Sequence, residues 1–242
     1  MIFHGGALVD PRGYSPLASI LATRYGLPVV IPIFDDDLAF SFGMCDSGRL
    51  AMAQAEFDHV VKWVLVGHSF GGISAMSDAW SRQNDSAVAG LVMIAADIRQ
   101  DIGCGEVDFS STGFPMASIT ASLDMILNKT RSELNKPFLS NETLAVDIFG
   151  GNHGQVGSYN YSERTPLLGQ VDGIALIPPQ VQWDLTVASI YHVASRAGVA
   201  LPERTKGTEC PTVGDTSAAA CFTSSWVWML ILLVSSWLHR RS

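Results

Sequence analysis

The chain has 242 residues, of which 48% are apolar and 16% charged, with a formal net charge of -8 and a pI near 5.1. This composition supports a sizeable core and excludes a disordered chain. No long basic patch or run is present, so no nucleic-acid partner is expected. With the hydrophobic C-terminal stretch set aside, about 210 residues remain, which suits one compact α/β domain.

In chain order, Met1 leads directly into Ile2-Phe3-His4 and Gly5-Gly6, with no basic n-region or apolar h-region of a signal peptide. The pattern predicts a helix over Ser15–Tyr25, with Pro16 suited to its first turn. A strand is expected over Pro28–Phe34, followed by the Asp35-Asp36-Asp37 run, read as a solvated loop rather than a metal site. A helix over Leu50–Val60, a strand over Trp63–Val66 and a helix over Gly71–Ser81 follow. Further strands are expected over Ala89–Ala95, Ala117–Ala121 and Leu144–Phe149, with helices over Met125–Leu134 and Pro179–Ala197. The strands are short, rich in Val, Ile and Leu, and do not alternate, as expected when both faces of a parallel sheet are covered. Ile98–Pro115 is too short for a cap domain, and Gly154–Pro178 reads as a long loop beside the site.

The C-terminus is different in kind. Residues 218–238 are apolar or small, enough to span ~30 Å of hydrocarbon as a helix. They follow a linker, 206–217, and precede His239-Arg240-Arg241. The expected organisation is one α/β domain over 1–205, the linker, and a membrane segment. Positive charge beside the span and four N-x-S/T sequons, at Asn84, Asn128, Asn141 and Asn160, place the expected body in the lumen or outside the cell. A GPI signal and a cytosolic tail-anchored body are the alternatives. None of the four cysteines forms a C-x-x-C pair, so no metal is expected. Cys45 and Cys104 fall in loops that could meet, and two free thiols are preferred there over a disulfide.

Chemistry concentrates at Gly67-His68-Ser69-Phe70-Gly71. With a strand before it and a helix after it, G-x-S-x-G has the context of a nucleophile elbow, and Ser69 is the expected nucleophile. A serine hydroxyl needs a base. His153, in Gly150-Gly151-Asn152-His153-Gly154 directly after the last strand, has the required order and place. The acid belongs between them in the chain, and Asp124, three residues after Ala117–Ala121, is favoured over Asp97. Asp124 could instead only cap the next helix. The oxyanion hole is expected from the N–H groups of Phe70 and Gly6.

The chain resembles the α/β-hydrolases, and within them the small lidless alpha/beta hydrolase fold-5 group, akin to dienelactone hydrolases. The likeness covers most of Met1 to about Ser189. It is carried by His4-Gly5-Gly6 with Val9-Asp10-Pro11 and Tyr14-Ser15-Pro16-Leu17-Ala18, by Gly67-His68-Ser69-Phe70-Gly71-Gly72, by Ala121-Ser122-Leu123-Asp124, and by Gly150-Gly151-Asn152-His153-Gly154-Gln155-Val156-Gly157 with Tyr159. Relatives often carry Tyr-Gly before the acid loop, where this chain has Thr120-Ala121-Ser122-Leu123. The resemblance also implies strands ahead of the oxyanion loop, so an N-terminally truncated chain is expected. The expected fold is an α/β-hydrolase, a mostly parallel sheet with helices on both faces, plus a C-terminal hydrophobic helix. The expected activity is cofactor-free hydrolysis of a carboxylic ester or similar acyl bond on a small molecule. A non-catalytic membrane-tethered binding module and an acyltransferase are the alternatives.

Overall fold

Among the described residues, short apolar runs form five strands; the inner ones are buried on both faces, and the last, at the sheet edge, alternates exposed with less exposed residues. The computed structural model describes residues 1–39, 45–159 and 169–199. The strands are β1 (Ile2–His4), β2 (Trp63–His68), β3 (Val88–Ile94), β4 (Met116–Ala121) and β5 (Thr143–Ile148). They pair in that order, all parallel. The helices are α1 (Ser15–Tyr25), α2 (Arg49–Glu56), α3 (Phe70–Ser81), α4 (Lys129–Asn135) and α5 (Pro179–Arg196).

Strand side chains point alternately to the two faces, and two cores result. Phe3, Val64, Val66, Val92, Ile94, Ala117 and Ile119 meet Leu17 and Leu21 of α1 and Val187, Ile190 and Val193 of α5. Ile2, Trp63, Leu65, Leu91, Met93 and Met116 meet Leu50 of α2 and Ile73, Met76 and Ala79 of α3. Each fully buried Leu or Ile contributes roughly 1.5–3 kcal/mol of transfer free energy, so helices cover both faces. Because all strands run one way, the segments after β1, β2, β4 and β5 emerge at one carboxyl edge, where open α/β sheets bind ligands.

Local chemistry sets the helix ends. Pro16 sits in the first turn of α1, and Gly26 ends that helix in the left-handed region, its N–H returning to Ala22 and Leu21. Pro179 opens α5. The strands over β2 to β5 lie within two residues of expectation, and α1 matches it.

Three expectations are corrected. Pro28–Phe34 does not form a ladder strand; Val30 alone bridges Ile2, with Phe3 N donating to Val30 O at 2.8 Å. Pro28 and Pro32 lack the N–H groups a ladder needs. The helix expected from Met125 starts only at Lys129. Asp124 Oδ1 accepts from Ile126 and Leu127 N–H in a separate turn, and Asn128 then caps α4 by accepting from Arg131 N–H. Cys45 and Cys104 form a disulfide rather than two thiols. Asp78 of α3 accepts from Ser47 N and Oγ at 2.7 and 2.6 Å, holding the Cys45 segment over α3, and the two Cα atoms stand 4.8 Å apart, within bonding reach.

The apolar stretch 218–238 and its linker lie outside the described residues, as does Asn160. Among the described residues no helix is long and apolar enough to cross a membrane.

Candidate active site

A single residue, Ser69, separates β2 from α3. It takes φ 55° and ψ -121°, a strained conformation for a non-glycine residue that the surrounding structure must impose. The flanking glycines make the turn possible. A Cβ on Gly67 would lie 2.1 Å from Gly71 O, and one on Gly71 would lie 2.3 Å from both His4 O and Gly5 O. Any larger residue there would push α3 off β1. Ser69 is partly exposed, and its N–H donates to Ile94 O at 2.8 Å. Phe70 is the first residue of α3, where N–H groups lack intrahelical acceptors and the helix dipole favours negative charge.

His153, after β5, and Asp124, after β4, are both buried. They meet at 2.8 Å between Nδ1 and Oδ2. The carboxylate accepts here, so Nδ1 donates and Nε2 is left with a lone pair. The second oxygen, Oδ1, takes the Ile126 and Leu127 N–H groups at 2.8 Å each. The turn and the imidazole are thus held by different oxygens of one carboxylate. Burial works to raise Asp124, but the bond and charge of His153 and the two backbone N–H groups outweigh it and hold the carboxyl below its usual range. Asp97 goes elsewhere: Arg131 grips it with Nε at 2.7 Å and Nη2 at 3.2 Å.

The oxyanion loop differs from expectation. The Gly6 N–H donates to Tyr14 Oη at 2.7 Å, so it is committed to the protein. The neighbouring Ala7 N–H makes no hydrogen bond among the described residues. Gly6 packs tightly instead, since a Cβ there would lie 3.0 Å from His68 Nδ1.

Tyr14 and His68 complete a buried relay. Tyr14 Oη lies 2.9 Å from His68 Nδ1, and His68 Nε2 lies 3.1 Å from the carbonyl oxygen of His153. A carbonyl only accepts, so Nε2 carries the ring proton and Nδ1 accepts from the tyrosine. His68 is therefore neutral; burial, then the nearby His153, push it well below its ordinary value. The relay links the oxyanion loop, the elbow and the histidine loop. Gln182 of α5 adds a further hold, donating to Asn152 O at 2.7 Å and accepting from Asn152 N at 3.2 Å. Composition and spacing gave Tyr14 and Gln182 no role, although Tyr14 stands in one of the stretches that carry the resemblance. A turn tyrosine and a helix glutamine become visible only when the loops close on them.

A family model described as the alpha/beta hydrolase family matches residues 1–165. No curated protein matches the sequence. Several solved structures share the architecture. A thermophilic esterase from Thermogutta terrifontis is 15% identical, covering 81% of this chain and 89% of its own, with a TM-score of 0.53. Mouse alpha/beta hydrolase domain-containing protein 10 is 14% identical over 81% of this chain and 89% of its own, with a TM-score of 0.51. An α/β hydrolase enzyme from a lagoon-sediment metagenome of Mar Chica, Morocco, is 14% identical over 69% and 87%, also at 0.51. At such identities the likeness is one of fold.

Proposed function

Because this chain belongs to the alpha/beta hydrolase family, we propose that it is a serine hydrolase acting on a carboxylic ester or similar acyl bond of a small molecule. The observation that carries this reading is the buried 2.8 Å bond between His153 Nδ1 and Asp124 Oδ2, at the sheet edge where Ser69 stands strained between β2 and α3. Ser69 Oγ attacks the carbonyl carbon while Nε2 of His153 takes its proton. Asp124 keeps the imidazole in the accepting tautomer and stabilises the imidazolium. The tetrahedral oxyanion is held by the N–H groups of Phe70 and Ala7, with Gly6 N–H fixing the loop through Tyr14. His153 then protonates the leaving group, and a water activated by the same nitrogen releases the acyl group.

The test is a fluorophosphonate probe on the purified protein, with the adduct mapped by mass spectrometry, beside turnover of a short activated ester. Wild type is expected to label at Ser69 and to turn over. Ser69→Ala is expected to do neither while keeping its melting temperature. An unlabelled wild type refutes the reading and favours a fold kept without turnover.

We further propose that the body lies outside the cytosol, tethered by the apolar segment 218–238. Support comes from the Cys45–Cys104 disulfide, a bond that persists in oxidising compartments. The sequon residues Asn84, Asn128 and Asn141 are also all exposed. Expression in a eukaryotic cell tests this. A glycosidase-sensitive mobility shift is expected, and its absence removes the support.

A further inference from the structure

The mechanism requires Nε2 of His153 to aim at Ser69, yet the bond to Asp124 fixes only the opposite side of the ring. What holds the backbone beneath the imidazole lies outside the triad. The His153 carbonyl oxygen accepts from His68 Nε2 at 3.1 Å. The Gly154 N–H donates to Asp172 Oδ2 at 2.8 Å. These two groups are opposite ends of one planar peptide unit. Rotation about the Cα–C bond of His153 breaks both bonds at once.

Each gripping residue is itself anchored. His68 is held by Tyr14. Asp172 lies on the 169–177 segment, and its Oδ1 accepts from Gly173 N at 2.8 Å and from Met125 N at 3.4 Å. The segment is also tied to the histidine loop: Asn152 Nδ2 donates to Gly173 O at 2.7 Å, and Leu176 N donates to Gly150 O at 2.7 Å. A Cβ on Gly173 would lie 2.1 Å from Leu123 O, so only glycine lets the segment lie this close to the acid loop.

We infer that His68 and Asp172 are a pair of positioning residues that set the aim of His153 by gripping the two ends of the His153–Gly154 peptide. The inference rests on the triad reading above. An aspartate oxygen accepting on the N–H and an imidazole donor on the carbonyl polarise the peptide in the same sense, so each bond strengthens the other. A swing of about 10° at the His153 Cα moves the far ring nitrogen by just under ~1 Å, and a displacement of that size costs up to about 100-fold in rate.

The experiment measures kcat, KM and the rate of fluorophosphonate inactivation in Asp172→Ala, Asp172→Asn, His68→Ala and the double alanine variant. Asp172→Ala is expected to lower kcat and the inactivation rate roughly 10- to 100-fold with KM within about threefold. Asp172→Asn has a single oxygen for the Gly154 N–H on one side and the Gly173 and Met125 N–H groups on the other, so it is expected to fall between wild type and the alanine variant. The double variant is expected to lose less than the product of the single losses, since both release one peptide. A kcat within about twofold of wild type in Asp172→Ala overturns the inference, as does a fully multiplicative double variant. If the alanine variants do not fold, Asp172→Asn carries the test: a kcat within about twofold of wild type overturns the inference, and a larger fall in kcat with KM within about threefold upholds it. Ser69→Ala in the same panel separates the two levels, because activity surviving there refutes the triad whatever Asp172 does.

Discussion

Replacing Asp124 by Asn changes one atom and is expected to leave the fold in place. The carboxylate has two separate duties: Oδ1 takes the Ile126 and Leu127 N–H groups, and Oδ2 takes His153 Nδ1–H. In Asp124→Asn the amide oxygen stays with the two backbone donors, which only an acceptor satisfies. The NH₂ group then faces His153 and donates to Nδ1. The ring proton moves to Nε2, which then has no lone pair for the base role proposed toward Ser69. A triad with the wrong tautomer loses about 10⁴-fold in kcat, and at 1.36 kcal/mol per tenfold that is ~5 kcal/mol of transition-state stabilisation. Folding stability changes less, by about 1.5–3 kcal/mol at neutral pH, the net worth of one buried hydrogen bond to a charged group. The pH sign follows from the direction of the shift. Asp124 is held below its ordinary 3.8 when folded, so its stabilising contribution is full above 3.8 and is lost as pH falls through the lower folded value. The stability gap between wild type and variant therefore closes below pH 3.8. The assay is turnover of a short activated ester with parallel urea unfolding. Asp97→Asn is the control. It disrupts a pair with Arg131 and is expected to cost about 1–3 kcal/mol of stability while leaving kcat within about threefold. An Asp124→Asn enzyme that keeps more than about a tenth of kcat refutes the tautomer reasoning. Reversed effects at the two positions would make Asp97 the acid.

Gly71→Ala puts a Cβ 2.3 Å from two main-chain oxygens of β1 and the oxyanion loop. A stability loss of at least about 1–3 kcal/mol, seen as a lower melting temperature, is expected together with slower labelling of Ser69; an unchanged melt contradicts the close approach. Replacing both Cys45 and Cys104 by Ala opens a loop of sequence separation 59 and is expected to cost about 4 kcal/mol on the chain-entropy account. Urea midpoints with and without reductant check this, and wild type insensitive to reductant contradicts it. His4 and Asp78, with His4 Nε2 3.8 Å from Asp78 Oδ2, oppose each other in pH. Burial, then Arg49, push His4 down to about 3 from 6.5, so its contribution is full above 6.5 and is lost as pH falls toward 3. Burial pushes Asp78 up to about 6 from 3.8, so stability is regained between 6 and 3.8 as it protonates. Asp78→Asn removes that gain and is expected to destabilise more at pH 4 than at pH 7; an equal cost at both contradicts the shift.

Much of this molecule was written locally. The apolar runs that became β2 and β3 need no partner to be recognised, because a strand covered on both faces is apolar nearly throughout. Ser15–Tyr25 is bounded by a proline that suits a first turn and a glycine that adopts the left-handed region, so both ends are set by stereochemistry within a few bonds. The placement of Ser69, Asp124 and His153 at one sheet edge was legible for a related reason, since each follows a strand and parallel strands deliver their ends to one edge. Where a local rule misled, a residue's own chemistry overrode the pattern: Pro28 and Pro32 cancelled a ladder, and Asp124 used a lone pair to delay α4. The remaining decisions belong to closure of the fold. Gly6 gives its N–H to Tyr14, 8 residues on. His68 reaches the carbonyl of His153 across 85 positions, and Cys45 meets Cys104 across 59. Asp172, in a stretch with no periodicity, grips the peptide beside His153. Hydrogen-bond partners at such separations are chosen by distances of a few tenths of an ångström. Those distances exist only after the two cores have packed, because packing, not the local sequence, brings the loops of the carboxyl edge together.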